Sequence, residues 1–313
     1  VDFTPNAQAM QNYNWASDSR WIPSRNTLCV AVAVVVNKAD PGYTAPTAEE
    51  LVYNGSAQTL INAGSATTGT MQYALGSATE PTGSWSTTLP QGQNAGTYYV
   101  WYKVVGDDNY NDIAPACVTV TIAKKQISKP AADSSTFTYN GNYQTYAMNG
   151  DPAFIIDNNV QKNAGSYTVT VTLQDTANYE WTDGTTAVLE YTFKIEQKEI
   201  GISWSNTALT YNGAAQRPTA TATGVVTGEQ IALLLSAPET NAGSYTATVH
   251  SIDGATAQNY KLPTNKSTSF TIEQQALTIL WGNGTFTYDS TEKFPAFNVE
   301  GIWNADDVQV TKE

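Results

Sequence analysis

The sequence predicts an all-β protein made of tandem β-sandwich repeats, and two observations carry this prediction. First, two tripeptides recur three times in the same order, as Tyr53-Asn54-Gly55 with Asn94-Ala95-Gly96, Tyr139-Asn140-Gly141 with Asn163-Ala164-Gly165, and Tyr211-Asn212-Gly213 with Asn241-Ala242-Gly243. Second, the 313 residues include 22 Gly, 13 Pro and 18 Tyr but no long heptad pattern of helix-forming residues, which is typical of strands joined by turns.

The length of one copy indicates a domain rather than a solenoid turn. The first tyrosine recurs after 86 residues (53 to 139) and again after 72 (139 to 211), whereas common solenoid repeats span roughly 20–50 residues. Each copy is therefore long enough to have its own core. Because the motif recurs in every copy, we expect it to hold the copies together rather than to form one asymmetric active site.

The third copy shows the strand pattern most clearly. Tyr245, Ala247 and Val249 alternate with polar residues, which is the period of a half-buried strand. Asn-Gly after a β-run favours a two-residue hairpin at each copy. The seven predicted strands of this copy lie at about 199–204, 208–211, 217–223, 230–235, 244–250, 259–262 and 267–272.

A tyrosine two residues after the glycine of each Asn-Ala-Gly motif gives the sandwich an immunoglobulin-like character. Tyr98, Tyr167 and Tyr245 each precede an alternating strand, as does the corner tyrosine that bonds to upstream backbone in immunoglobulin domains. The position two residues on is Val or Ala rather than Cys, so no disulfide links the sheets. We therefore predict that packing alone stabilises each unit.

The motif order Tyr-Asn-Gly, Asn-Ala-Gly-x-Tyr, Asn-Tyr resembles the MBG/YDG type of bacterial immunoglobulin-like repeat. The resemblance covers about residues 40–274, and Tyr288-Asp289-Ser290 departs from it in a fourth copy. It implies an extracellular stalk or adhesin module, on the cell surface or secreted, without catalytic residues or cofactor.

Aligning the copies predicts five segments. Residues 1–39 form the tail of a preceding repeat, 40–124 a long first repeat, 125–197 a second, 198–274 a third, and 275–313 the front of a further one. The junctions lack Gly and Pro, which predicts a stiff, elongated rod. The apolar stretch Cys29 to Val36 is predicted to be a strand. The two incomplete ends indicate either a piece cut from a longer array or halves that complete each other head to tail between molecules, by strand complementation.

Charge and residue types exclude several classes of function. The formal net charge of −13 argues against nucleic-acid binding. The sequence has no run of 18 apolar residues, so we expect no membrane insertion. The single histidine, His250, is expected on a solvent face. Cys29 and Cys117 lack metal spacing and are expected to be free and buried, a disulfide being the alternative. Asp107-Asp108-Asn109 and Asp157-Asn158-Asn159 lack the spacing of a calcium loop, so we expect solvated turns and no metal site.

One feature distinguishes the first repeat. Tyr99 and Trp101 stand where the other repeats have threonine, and an inserted stretch adds Trp85. These aromatic residues form a candidate binding face for a host or cell-wall glycan or a protein ligand. The alternative, which we favour, is that the insertion covers Tyr99 and Trp101. Two functions follow: a non-catalytic stalk and adhesion segment, or an accessory carbohydrate-binding region of a secreted multidomain enzyme.

Overall fold

The computed structural model describes residues 2–303 and Val308. It has 45% strand and 4% helix and confirms the predicted fold class of immunoglobulin-like β-sandwich repeats. The chain divides into two compact units, Val1–Gln126 with Ala177–Glu180, and Ile127–Thr176 with Trp181–Glu313. Asn178 and Tyr179 of the predicted second repeat thus belong to the first unit. The five segment boundaries stay a prediction.

Residues 2–39 begin the first unit with a small three-stranded sheet in the order β1-β3-β2. The predicted strand from Cys29 to Val36 is wrong beyond Cys29, because residues 30–38 form no ladder and Val36 is 88% exposed. An apolar run becomes a strand only beside a neighbouring strand. The elements are β1 Asp2–Phe3, α1 Ala7–Asn12, a 3-10 helix Trp15–Ser17, β2 Trp21–Ile22 and β3 Thr27–Cys29.

The first repeat has a main sheet in the order β10-β12-β13-β6 and three two-stranded ladders. Val100 and Val120 of the main sheet pack with Leu60 and Ile61, all at most 1% exposed. The strands are β4 Tyr43–Thr44, β5 Thr47–Ala48, β6 Leu51–Val52, β7 Gln58–Thr59, β8 Ile61–Asn62, β9 Ser65–Ala66, β10 Thr70–Gly76, β11 Gln91–Gly92, β12 Gly96–Val105 and β13 Ile113–Ala123.

The second and third repeats are built around the same kind of main sheet, and most of their residues belong to the second unit. The orders are β15-β21-β19-β17 and β24-β29-β27-β26. The strands are β14 Lys125–Ile127, β15 Phe137–Thr138, β16 Gln144–Thr145, β17 Phe154–Asp157, β18 Val160–Gln161, β19 Gly165–Leu173, β20 Tyr179–Trp181, β21 Leu189–Glu196, β22 Lys198–Glu199, β23 Gly201–Ser205, β24 Ala208–Thr210, β25 Thr219–Thr223, β26 Ala232–Leu235, β27 Gly243–Asp253, β28 Tyr260–Lys261 and β29 Ser267–Glu273, with a 3-10 helix Ala257–Asn259.

Each main sheet pairs the strand before Tyr-Asn-Gly in parallel with the last strand of the same repeat. The last strand then pairs antiparallel with the long strand that carries the corner tyrosine. This neighbourhood corresponds to the sheet that contains strands C, F and G in immunoglobulin domains. All seven strand positions predicted for the third repeat contain observed strands, and Ala247 and Val249 are buried as the alternation predicts.

The Tyr-Asn-Gly segment is a turn of a different type from the predicted hairpin. Gly55, Gly141 and Gly213 have φ between 74° and 84°, but their asparagines stay outside the positive-φ region. Instead, each asparagine Oδ1 accepts the amide two residues later, at 2.9–3.0 Å. The hairpin prediction fails because the strand before the turn pairs with the distant last strand. Asp289 and Ser290 of the fourth copy make the same turn, with Ser290 at φ 65°.

Residues 277–303 carry two paired strands, β30 Thr278–Trp281 and β31 Phe297–Glu300. Their ladder matches the pairing of β23 with β25 in the third repeat, with Trp281 opposite Phe297 where Trp204 lies opposite Ala220. The apolar side chains of this segment remain exposed, Trp281 at 66% and Tyr288 at 89%.

Candidate functional site: aromatic face and repeat junctions

Strand β12 presents the predicted aromatic residues on its outer side. Val100 and Val104 point into the core and are fully buried, whereas Tyr99, Trp101 and Lys103 alternate with them and are half-buried. Trp101 lies opposite Ala74 of β10 and Cys117 of β13, which are small neighbours that leave its ring room to lie across the sheet.

The inserted stretch covers part of this face. The Trp101 indole Nε1 donates to the Ser77 carbonyl at 2.9 Å. A Cβ added at Gly76 would lie 2.7 Å from the Trp101 ring, so the strand needs glycine there for the ring to pack closely. The Lys103 Nζ lies 4.6 Å from the centroid of the half-buried Trp85 ring. The structure therefore brings Trp85, Tyr99 and Trp101 to one side of the sheet, where the contacts with Ser77 and Lys103 restrain the Trp101 and Trp85 rings.

The three corner tyrosines make the hydroxyl-to-backbone bond that immunoglobulin corners use. Tyr98, Tyr167 and Tyr245 each donate to the carbonyl of the asparagine four residues upstream, at 2.8, 2.9 and 3.0 Å. Each bond fixes the Asn-Ala-Gly loop against the start of its long strand. The bonds lie at the protein surface, where water competes with them.

The two recurring motifs meet at the repeat junctions through an asparagine clasp. In the first unit, the Ala95 amide donates to Asn178 Oδ1 at 2.7 Å, and Asn178 Nδ2 donates to Asn94 Oδ1 at 3.3 Å. In the second unit, Ala164 and Asn163 make the same pair of bonds to Asn259, at 2.8 and 3.2 Å. The Asn-Ala-Gly loop of one repeat thus holds the Asn-Tyr pair of the next.

The tyrosines of the same motifs pack beside the clasp. Tyr53 meets Tyr179 edge to face with 5.4 Å between ring centroids, and Tyr139 meets Tyr260 in the same way at 5.6 Å. Sequence comparison identifies both motifs, but it does not reveal that they contact each other across a junction. The recurrence of Asn before the second tyrosine is the signal that points to Asn178 and Asn259.

A carboxylate adds to the clasp between the second and third repeats. The hydroxyls of Tyr139 and Tyr260, both 2% exposed, donate to the two oxygens of Glu229. Burial raises the pKa of Tyr139 to about 12, with a further contribution from the Glu229 contact. Desolvation raises the pKa of the Glu229 carboxyl, but the contacts with Tyr139, Tyr260 and Thr256 and the charge of Lys162 together outweigh it, so the pKa is lowered. Glu229 has no recurring sequence signal.

The same asparagine is exposed where no repeat clasps it. Asn178 and Asn259 are 5% and 0% exposed, whereas Asn109 of the first repeat lies at the surface. On the opposite side, Ala95 and Ala164 are half-buried but Ala242 is exposed. Among the described residues, no asparagine side chain lies at the Ala242 amide.

The remaining candidates lie apart from both features. His250 is exposed on β27. Cys29 and Cys117 are free thiols, but both are exposed rather than buried as predicted. Cys117 lies opposite Trp101, on the outer side of its sheet. Asp107 Oδ1 accepts the amides of Asn109 and Tyr110, which makes a local turn.

Across residues 2–303 and Val308, no group of three or more His, Cys, Asp or Glu side chains could hold a metal ion. No helix in this part is long and apolar enough to cross a membrane.

Comparisons with known proteins give distant likenesses. No protein-family model and no curated protein matches the sequence. The chain is similar to the solved structure of Sidekick-1 immunoglobulin domains 1–5, at 12% identity and a TM-score of 0.26, over 75% of this chain and 59% of that one. It is also similar to SGBP-B of the Bacteroides ovatus mixed-linkage glucan utilization locus, solved with a mixed-linkage heptasaccharide, at 11% identity and a TM-score of 0.19, over 80% of this chain and 74% of that one.

Proposed function

We propose that this chain is a non-catalytic structural and adhesion segment of a bacterial extracellular surface protein. The asparagine clasp is the observation that carries the proposal. The recurring residues close turns, fix corners and hold one repeat to the next, which is what an array of domains that transmits force requires. The resemblance to MBG/YDG repeats and the net charge of −13 support an extracellular location.

A distance measurement between neighbouring repeats tests this function. Spin labels at Thr168→Cys and Thr246→Cys, both exposed positions, would report on the second and third repeats in a background with Cys29→Ser and Cys117→Ser. We expect one narrow distance distribution, because the clasp and the Glu229 contacts fix the junction. Asn259→Ala should broaden it. A broad distribution in the parent chain would contradict a stiff, force-transmitting segment.

The aromatic face favours carbohydrate binding as a second function, either within an adhesin or as an accessory region of a secreted enzyme. Tyr99 and Trp101 lie on one outer sheet face with Lys103 beside them, and aromatic rings of this kind stack on sugar rings. The cover provided by the insertion weighs against it.

A glycan array with the 313-residue chain separates the two functions. If the face binds glycans, Trp101→Ala should abolish binding, whereas Thr246→Ala on the equivalent strand of the third repeat should leave it unchanged. Circular dichroism should show that both variants keep the parent fold. An array without any specific signal leaves the structural role alone.

A further inference from the structure

We propose that Asn149-Gly150 is a site of spontaneous covalent modification, where the Gly150 backbone nitrogen attacks the Asn149 side-chain amide and converts this residue to aspartate and isoaspartate in the folded chain. This site lies outside the structural role proposed above. The sequence has five Asn-Gly pairs, which share one dipeptide but differ in their surroundings. The pairs begin at Asn54, Asn140, Asn149, Asn212 and Asn283.

The reaction needs only the chain itself and water. The Gly150 nitrogen gives up its proton through water and bonds to Asn149 Cγ, and the side-chain nitrogen leaves with a proton as ammonia. Water then opens the resulting cyclic succinimide at one of its two carbonyls. Opening at the main-chain carbonyl gives isoaspartate, and opening at the former side-chain carbonyl gives aspartate. Glycine obstructs the attack least, because it has no Cβ.

Four of the five pairs hold the asparagine side chain in a hydrogen bond. In each of them, Oδ1 accepts the amide of the residue two positions later. Ring closure has to turn Cγ onto the glycine nitrogen, which breaks this bond. A bond of this kind should slow the reaction roughly two- to tenfold. The four donors are the amides of Ser56, Asn142, Ala214 and Thr285, at 2.9–3.0 Å.

Two of these turns are restrained a second time by the packing of their glycine. A Cβ added to Gly141 would lie 2.5 Å from Val226 Cγ1, and a Cβ added to Gly213 would lie 2.9 Å from Trp303 Cβ. The glycines of the other two turns would meet nothing within 4 Å. Because ring closure also rotates the peptide that precedes the glycine, the turns at Gly141 and Gly213 should be the most protected.

Asn149-Gly150 has neither restraint. Both residues are exposed and lie between β16 and β17, outside any strand. Among the described residues, no amide donates to Asn149 Oδ1, and a Cβ added to Gly150 would meet nothing within 4 Å. The Asn149 side chain can therefore turn onto the Gly150 nitrogen without breaking a contact.

Hydrogen bonds on both sides of this pair hold the loop in place. The Ala147 amide donates to Asp133 Oδ2 at 2.7 Å, and the Ala153 amide donates to Asp151 Oδ1 at 2.8 Å. Tyr146, just before the loop, is 4% exposed and belongs to the core of the second repeat. The modification should therefore alter the loop without unfolding the repeat, so that the product accumulates in folded chains.

Peptide mass spectrometry of the folded chain during incubation at neutral pH gives the first test. Asn149 should show the mass gain of amide-to-acid conversion first, with Asn54 and Asn283 at least about twofold slower and Asn140 and Asn212 slowest. Isoaspartate at position 149 identifies the succinimide route, because direct hydrolysis of the side-chain amide gives aspartate alone. The proposal is overturned if Asn54 reacts as fast as Asn149, or if position 149 yields no isoaspartate.

The unfolded chain is the control for intrinsic reactivity. In concentrated urea the turns and the glycine contacts are lost, so the five pairs should react at similar rates. The order of rates seen in the folded chain should disappear. The same order in urea would show that it comes from neighbouring residues in the sequence rather than from the fold, and would overturn the structural argument.

Gly150→Ala tests the attacking nitrogen. Gly150 lies outside the positive-φ region and has open space at Cβ, so alanine fits the folded chain. Its methyl group hinders the approach to Cγ, and reaction at Asn149 should slow at least about tenfold. Gly284→Ala is the matched control, because Gly284 is equally open and lies outside the positive-φ region. This control should slow only Asn283. An unchanged rate at Asn149 in Gly150→Ala would rule out attack by this nitrogen.

Asn149→Asp tests whether the product accumulates in folded chains. This variant has the charge of the aspartate product and no side-chain amide to lose. It should melt at the same temperature as the parent chain, and the new acidic species of the aged parent should elute with it on anion exchange. An unfolded Asn149→Asp chain would contradict accumulation in the folded state.

Discussion

Replacing Asn259 by alanine should destabilise the junction between the second and third repeats by about 1–3 kcal/mol, because a buried amide loses its acceptor. Asn259 is fully buried, accepts the Ala164 amide and donates to Asn163. Hydrogen exchange at the Ala164 amide reports this junction directly, and urea unfolding reports the whole second unit.

Asn109 provides the matched control for this change. It precedes the equivalent tyrosine of the first repeat but is exposed. Asn109→Ala should therefore change the free energy of unfolding by no more than about 0.5 kcal/mol, as is usual for surface substitutions. Equal effects of the two variants would show that the clasp contributes nothing beyond the local turn.

Replacing Glu229 by leucine should cost about 2–4 kcal/mol, because two buried tyrosine hydroxyls lose their shared acceptor at once. Tyr139 and Tyr260 both donate to this carboxylate and lie edge to face. Glu239→Leu, at an exposed position of the same repeat, is the control. Urea unfolding of the two variants measures the difference, and equal midpoints would rule out a stabilising role for the Glu229 contacts.

The same site predicts a loss of stability in base. The pKa of Tyr139 is about 12 in the folded chain, against about 10 for an unfolded tyrosine. A tyrosine whose pKa is raised on folding contributes its full stabilisation at pH values below its pKa in the unfolded chain. This contribution is lost as the pH rises through its pKa in the folded chain. Stability should therefore fall between pH 10 and pH 12, and less steeply in Tyr139→Phe.

Local patterns predict the parts of this fold that depend on local geometry. Alternation around Ala247 and Val249 places a strand and identifies its buried side, and the tyrosine before it marks the corner. The Asn-Gly turn is predicted with the wrong type, because its geometry depends on which distant strand pairs with the preceding residues. The strand prediction for Cys29 to Val36 is wrong for a related reason, because residues with high β propensity form no ladder without a partner strand.

The contacts of the asparagine clasp cannot be predicted by comparing the sequences of the repeats. Recurrence marks Asn178 and Asn259 as important, but their partners come from a different repeat, and no spacing within one copy indicates the contact. Glu229 is not marked at all, because it appears at one junction only. For the aromatic face, substitution of threonine by Tyr99 and Trp101 indicates the location, whereas the Ser77 contact that restrains the ring depends on the fold of the insertion.

The clasp also makes the repeats interchangeable. Asn94-Ala95 and Asn163-Ala164 present the same groups to the next repeat, and Asn178 and Asn259 receive them with the same atoms. Removing residues 125–197 as a block would bring the loop of the first repeat against Asn259 with every donor and acceptor still matched. Duplication of residues 198–274 would be equally neutral, because this block carries Glu229 together with Asn259. Recombination between repeats in the gene can therefore lengthen or shorten the array without any new interface having to evolve.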